Sequence, residues 1–163
     1  MRLLISDANI LIDLEEGQLL DELFHLPYQF SVPDILFAEE LETQHAHLLD
    51  RGLRLGELNS ASMVYAMALT ARVIGPSRND CFALALARQE RCPLLSGDQA
   101  LRRAAEVENV EVRGTLWVME ELIRHQIITV AAARASYERM RANARRLPWE
   151  QALRRLEQLE HQP

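Results

Sequence analysis

The chain has 163 residues, of which 48% are hydrophobic and 26% charged, a composition typical of a folded globular protein rather than a disordered one. This length suffices for one domain with a full hydrophobic core, alone or with a short extension. Its 2 cysteines are too few for a disulfide framework or a thiolate zinc site. All 18 basic residues are arginine, which excludes mechanisms that need a P-loop or Schiff-base lysine.

The net charge of −6 is spread unevenly along the chain. Residues 1–60 carry 12 acids and 3 arginines, a net of −9, whereas residues 61–163 carry 12 acids and 15 arginines, a net of +3. Local patches decide nucleic-acid binding, so the acidic total does not exclude such a partner. Asp7 and Asp13 interrupt the first apolar stretch, which argues against a signal peptide or a membrane span. We therefore expect a cytoplasmic protein without a membrane partner.

Hydrophobic patterning in the first half predicts strands that alternate with helices. The apolar run at 2–5 predicts a buried first strand that ends at Ser6 and Asp7. Gly17, Pro27 and Gly52 mark later breaks. A second apolar stretch, at 9–14, contains Asp13 and is left without an assigned element. The further elements expected here are a helix at 18–26, a strand at 29–32, a helix at 33–50, a short strand at 53–58 and a helix at 61–72.

The second half continues the alternation after a turn at 75–77. The expected elements are helices at 80–90, 99–106, 115–125, 131–146 and 149–160, with strands at 93–96 and 110–112. Strands that alternate with helices predict an α/β fold, a parallel sheet sandwiched by helices. We divide the chain into an α/β domain at 1–127 and an arginine-rich helical C-terminal extension at 128–163.

Three aspartates lie at equivalent places in this predicted fold. Asp7 and Asp98 each follow an apolar strand, and Asp80 opens a helix after a turn. In a parallel α/β sheet, the strand ends and the helix N-termini meet at one edge, so these carboxylates can converge. Clustered carboxylates repel unless a cation lies among them, and oxygen ligands favour Mg²⁺ or Mn²⁺ over zinc. Such a site is suited to phosphodiester hydrolysis.

Each aspartate also has a simpler structural interpretation. Asp80 near a helix start is more often a cap, and Asp98 can be an ordinary turn residue. Asp7 is the strongest single candidate, because few structural roles call for a carboxylate at the end of a buried strand. The joint pattern is less expected by chance than any one of its members.

The sequence resembles PIN-domain ribonucleases, and among them VapC-like toxins and bacterial PIN proteins with a helical C-terminal tail. The resemblance rests on the ordered set LLISDANILIDL, VPDILFAEEL, SRNDCFALALA and PLLSGDQALRRAA, with support from VEVRGTLWVMEELI. It implies a Rossmann-like PIN fold and RNA cleavage that depends on Mg²⁺ or Mn²⁺. It also implies a homodimer and a cognate antitoxin partner. The metal-binding and catalytic acids would be Asp7, Glu39, Asp80 and Asp98, supported by the polar residues Asn9 and Ser96.

The glutamate of this set must be chosen from three neighbours. The spacing in the family favours Glu39, and a helical wheel at ~100° per residue agrees, since Glu40 points more nearly away from the apolar arc. Glu42, at the edge of that arc, is a weaker third option. All three can instead belong to a solvated acidic helix face.

Basic and imidazole side chains give weaker signals. Arg78, in the loop before Asp80, is the best candidate for an RNA contact, because a guanidinium binds phosphate through two hydrogen bonds. His45 and His47 are two residues apart on a predicted helix, so they are not expected to face together.

Other functions fit the residues less well. A haloacid-dehalogenase phosphatase needs a second aspartate two residues after the first, where this chain has Asn9. A dinucleotide-binding module lacks its glycine-rich turn. A catalytically silent PIN-like scaffold and a housekeeping RNA-processing nuclease remain as alternatives to a toxin.

Overall fold

A parallel β-sheet forms the centre of the computed structural model, which describes residues 1–161. Within these residues the sheet has 5 strands in the order β3-β2-β1-β4-β5. The strands are β1 (Arg2–Ser6), β2 (Tyr28–Pro33), β3 (Arg54–Gly56), β4 (Leu94–Leu95) and β5 (Val112–Arg113). All four pairings are parallel, which confirms the predicted fold class.

The apolar first strand occupies the middle of the sheet because its side chains are buried. Leu4 and Ile5 have no exposed surface, and β1 pairs with β2 through Leu4 opposite Phe30. On its other side, Ser6 lies opposite Leu95 of β4. The carboxyl ends of β1 and β4 therefore meet at one edge of the sheet, which positions the candidate site.

Helices connect the strands, as parallel pairing requires. They are α1 (Ala8–Glu16), α2 (Leu20–Leu23), α3 (Asp34–Leu36), α4 (Glu42–His45), α5 (His47–Arg51), α6 (Ser60–Arg72), α7 (Arg78–Glu90), α8 (Gln99–Val107), α9 (Thr115–Arg124), α10 (Val130–Ala142) and α11 (Trp149–Glu160). None of the helices within residues 1–161 is long and apolar enough to cross a bilayer.

The prediction of one continuous helix at 33–50 was wrong. A π-helical turn, Phe37–Leu41, separates α3 from α4, and the helix is interrupted again at Ala46. A π-turn contains one more residue than an α-turn, so it rotates all later side chains around the helix axis. Hydrophobic spacing alone does not reveal this extra residue, because Leu41 and Leu48 remain buried on either side of the interruption.

The C-terminal helices pack on the α/β body of the same chain. Tyr137 and Met140 of α10 and Leu156 of α11 join the main hydrophobic core. Gly17 permits this contact, because a Cβ there would lie 2.3 Å from Ser136 Oγ. The Ser136 hydroxyl donates a hydrogen bond to the Gly17 carbonyl at 2.9 Å. Tyr137, Met140 and Leu156 are therefore buried within the chain, whereas Leu153 of α11 remains 37% exposed.

Candidate active site

The carboxyl edge of the sheet brings three of the predicted acids to one region. Asp7 follows β1, and its backbone N–H donates to the Leu95 carbonyl of β4 at 3.0 Å. Asp98 lies just beyond the end of β4, and Asp80 is in the first turn of α7. We call this region, defined by Asp7, Asp80 and Asp98, the acidic edge.

Two aspartates of the acidic edge, Asp7 and Asp98, are helix N-caps, and Asp80 takes part in the cap of a third helix. Asp7 Oδ1 accepts from the Ile10 N–H at 3.1 Å, and Asp98 Oδ1 accepts from the Leu101 N–H at 2.8 Å. Asp80 Oδ2 accepts from the Ser77 N–H at 2.9 Å in a reciprocal capping box. The expectation that Asp7 has few structural roles was therefore wrong. A cap uses one carboxylate oxygen and leaves the second for another ligand.

Asp7 is held in a nearly water-free position, only 3% exposed. Burial raises the pKa of Asp7 to about 7, while hydrogen bonds from the Ser96 hydroxyl and the Ile10 N–H lower it in part. The negative charge of Asp80 raises the pKa of Asp7 further. The ionised form of Asp7 is therefore unfavourable in the folded protein, and pKa values perturbed in this way are common at functional sites.

Asp80 and Asp98 are coupled in the same way. Burial raises the pKa of Asp80, and the charge of Asp98 adds to that rise. Ser96, fully buried, accepts a hydrogen bond at its hydroxyl from the Asp98 N–H at 3.1 Å. This hydroxyl therefore connects the Asp7 carboxylate to the backbone that carries Asp98.

The two neighbouring glutamates of the π-turn face different partners. Glu39 accepts hydrogen bonds from Arg78 Nη2 at 2.7 Å and from Asn79 Nδ2 at 2.9 Å. The Asn79 hydrogen bond and the Arg78 charge lower the pKa of Glu39. Partial burial and the charge of Asp80 raise the pKa of Glu40, despite a hydrogen bond with Asn79. Glu39 is thus turned toward Arg78, and Glu40 is coupled to the acidic edge.

Asn79 is a further polar residue of this region, and it is not among the residues singled out from the sequence. The cap of α7 is Ser77. Within residues 1–161, Asn79 Oδ1 is the only buried side-chain oxygen or nitrogen without a hydrogen-bond partner. Because Asn79 is adjacent to Asp80, this amide oxygen is a further neutral oxygen that a cation bound beside the acids could use.

The C-terminal extension places an arginine against α1, the helix that follows Asp7. Arg145 Nη2 donates to Asn9 Oδ1 at 3.2 Å, and Arg145 Nε pairs with Asp13 Oδ1 at 2.6 Å. Thr115 donates to the other oxygen of Asp13 at 2.7 Å. Burial raises the pKa of Asp13, and Arg145 and Thr115 lower it in part. No local sequence signal links Asp13 to Arg145, since 132 positions separate them.

Ligand atoms come closest together at a different place. In the described part of the chain, the one group of three or more acidic, imidazole or thiol side chains within 4.8 Å of one another is Glu15, His45 and His47. The aspartates of the acidic edge are more widely spaced. The prediction that His45 and His47 do not face together was wrong, because the helix is interrupted between them at Ala46.

An arginine-lined cleft begins next to Asp98. Its volume is about 520 Å³, and its walls include four arginines and two glutamates: Arg102, Arg113, Arg146, Arg155, Glu106 and Glu120. Arg155 is paired with Glu120. Arg102 also donates to the Ser96 carbonyl at 2.9 Å, which ties the cleft to the acidic edge. Guanidinium groups that line a cleft attract polyanions.

Two solved structures are similar to this chain. A PilT N-terminus domain protein, SSO1118, from the archaeon Sulfolobus solfataricus P2 has a TM-score of 0.49 and 13% identity, over 76% of this chain and 94% of that one. VapBC2 from Rickettsia felis, bound to a DNA fragment from its promoter, has a TM-score of 0.47 and 12% identity, over 69% of this chain and 98% of the other. Comparison with curated proteins finds no match.

Comparison with family models gives a match over nearly the whole chain. The model of the PIN-domain family DUF3368 matches residues 3–161. This range includes the acidic edge and also α10 and α11 of the extension. The chain belongs to the DUF3368 family of PIN domains.

Proposed function

We propose that this PIN domain is an endoribonuclease that depends on Mg²⁺ or Mn²⁺. The observation that carries the proposal is the acidic edge, where a buried Asp7 is coupled to Asp80, and Asp80 to Asp98. Carboxylates arranged in this way repel one another, and a divalent cation relieves that repulsion. The proposed ligands are Asp7, Asp80 and Asp98, with Glu39 or Glu40 as the fourth acid.

The donor atoms of this region fit a hard cation. They are carboxylate oxygens, and the amide oxygen Asn79 Oδ1 lacks a hydrogen-bond partner within residues 1–161. Mg²⁺ and Mn²⁺ prefer such oxygen ligands, whereas Zn²⁺ is usually bound by nitrogen or sulfur. A bound ion would supply an activated water and neutralise the charge that develops on the phosphate.

The chain's own residues orient the ligands and the substrate. Backbone N–H groups at three helix N-termini fix one oxygen of each aspartate, and the Ser96 hydroxyl fixes Asp7 further. Arg102 and Arg146, in the cleft beside Asp98, are suited to contacts with the RNA backbone. Arg78 remains a proposed RNA contact, although in the structure it is paired with Glu39.

The first test is cleavage of a mixed RNA pool with and without Mn²⁺ or Mg²⁺. We expect Asp7→Asn to lower the cleavage rate by at least ~10²-fold, the range that one electrostatic stabiliser supplies. Asn retains the cap of α1, so the loss reports the missing charge. The exposed Asp50→Asn is the matched control and should cleave normally. Full cleavage in EDTA would contradict the proposal.

The biological role requires a separate test. Resemblance to VapC-like toxins supports a toxin that a cognate antitoxin neutralises. Expression should arrest growth, the Asp7→Asn variant should not, and coexpression of an adjacent small gene should restore growth. Cleavage without growth arrest would instead favour an RNA-processing enzyme, and absence of cleavage a silent scaffold.

The resemblance also supports a homodimer. Light scattering at several concentrations should give twice the mass of the chain. A single-chain mass throughout would contradict this part of the proposal.

A further inference from the structure

Three side chains from two parts of the fold meet away from the acidic edge. Glu15 lies near the C-terminal end of α1, His45 ends α4 and His47 begins α5. Glu15 is eight residues beyond Asp7, which corresponds to ~12 Å along the helix axis. This cluster is therefore separate from the proposed nuclease site.

The geometry of the cluster directs one carboxylate toward both imidazoles. His45 Nδ1 contacts Glu15 Oε2, and His47 Nε2 contacts Glu15 Oε1. One ligand atom from each residue lies within 4.8 Å of the others, and the two rings are 6.1 Å apart between centroids. The side chains of His45, His47 and Glu15 are 14%, 40% and 25% exposed, so an ion from solvent reaches them.

The backbone around the cluster is anchored in the core. Leu14, next to Glu15, has no exposed surface, and Leu48, next to His47, is 1% exposed. The interruption at Ala46 lets the two imidazoles reach Glu15 from either side. These features arrange the ligand side chains before any ion binds, which reduces the entropy cost of binding.

We propose that Glu15, His45 and His47 form a second metal site, selective for Zn²⁺ or a similar transition-metal ion. Two imidazole nitrogens and one carboxylate oxygen are a donor set typical of Zn²⁺, with water or a further donor at the remaining position. Mg²⁺ disfavours imidazole, so this site and the acidic edge select different ions. The bound ion links the end of α1 to the segment of α4 and α5.

The test is a titration of the untagged full chain with Zn²⁺. Calorimetry measures the binding, and the thermal unfolding midpoint measures its effect on stability. We expect one Zn²⁺ ion to bind tightly per chain, and the unfolding midpoint to rise with the Zn²⁺ concentration. The variants Glu15→Gln and His45→Gln/His47→Gln should each lose more than ~10-fold in affinity, since even outer-shell changes can cost that much. Bound Co²⁺ should show a visible spectrum that these variants lose.

Two controls separate this site from others. His25→Gln removes an exposed histidine outside the cluster and should bind Zn²⁺ like the wild type. Asp98→Asn changes the acidic edge and should still bind one Zn²⁺ ion tightly, whether or not the chain is a nuclease. Unchanged Zn²⁺ affinity in both cluster variants would overturn the proposal. Failure of the wild type to bind Zn²⁺ saturably would overturn it too, and the cluster would then be only a pair of histidine–glutamate hydrogen bonds.

Discussion

Asp7 has an ionised form that opposes folding when no cation is bound. Burial raises its pKa from 3.8 to about 7 in the folded state. A raised carboxyl pKa contributes stability that is full below the unfolded pKa and is lost as the pH rises through about 7. At pH 8 the ionised Asp7 therefore costs a few kcal/mol, at ~1.4 kcal/mol per pKa unit.

Removal of this charge should stabilise the protein at high pH. In EDTA, we expect Asp7→Asn to unfold at higher denaturant concentration than the wild type at pH 8, and the difference to shrink toward pH 4. Urea unfolding across this pH range measures the effect. Asp50→Asn, at an exposed position, should change the free energy of unfolding by less than ~0.5 kcal/mol at each pH. A difference for Asp7→Asn that does not depend on pH would contradict the assignment.

The neighbours Glu39 and Glu40 offer a second test at the scale of single residues. The charge of Asp80 acts on Glu40, whereas both oxygens of Glu39 already accept hydrogen bonds, one from Arg78 and one from Asn79. We expect Glu40→Gln to raise the Mn²⁺ concentration needed for half-maximal cleavage by at least ~10-fold, and Glu39→Gln to have a smaller effect. The reverse order would identify Glu39 as the ligand, as the helical wheel and the family spacing indicate.

The extension is attached to the body by a buried ion pair between Asp13 and Arg145. Arg145→Gln leaves the Asp13 carboxylate buried without its cation, so it should lower the free energy of unfolding by about 2–3 kcal/mol, somewhat less than a fully buried pair. Asp13→Asn combined with Arg145→Gln should recover part of this loss. Urea unfolding measures both.

A matched control lies on the same extension. Arg134 pairs with Glu160 at positions where the two side chains are 36% and 38% exposed. Arg134→Gln should cost less than ~1 kcal/mol, as exposed pairs do. Equal effects of Arg134→Gln and Arg145→Gln would show that Asp13 does not depend on its partner.

Elements with a strong local pattern were predictable from sequence, and contacts distant in sequence were not. The apolar runs ending at Ser6 and at Ser96 identified the central strands and thereby the region of the acidic edge. The π-turn left no comparable trace, since its extra residue keeps Leu41 buried. The helical wheel assumed a regular period through this turn, so it could not show that Glu39 would face Arg78.

The whole molecule has one main core that the extension completes. Residues from α10 and α11 belong to the same buried cluster as β1 and α1. A chain that ends at residue 127 would expose this contact around Gly17 and leave Asp13 without Arg145. We expect such a chain to be aggregated or unfolded by light scattering and circular dichroism. A monomeric, cooperatively folded fragment would support the proposed domain boundary at 127.

The helix caps at the acidic edge constrain how the proposed nuclease activity can be lost. Asp7, Asp80 and Asp98 each stabilise a helix N-terminus whether or not a cation binds. Replacement by alanine would remove a cap worth ~1 kcal/mol along with the charge, whereas asparagine would remove the charge alone. Descendants of this chain without the proposed activity should therefore accumulate Asn, Ser or Thr before Ala at the two N-cap positions, Asp7 and Asp98. For the same reason, asparagine variants are the appropriate ones for testing whether the proposed RNA substrate binds without being cleaved.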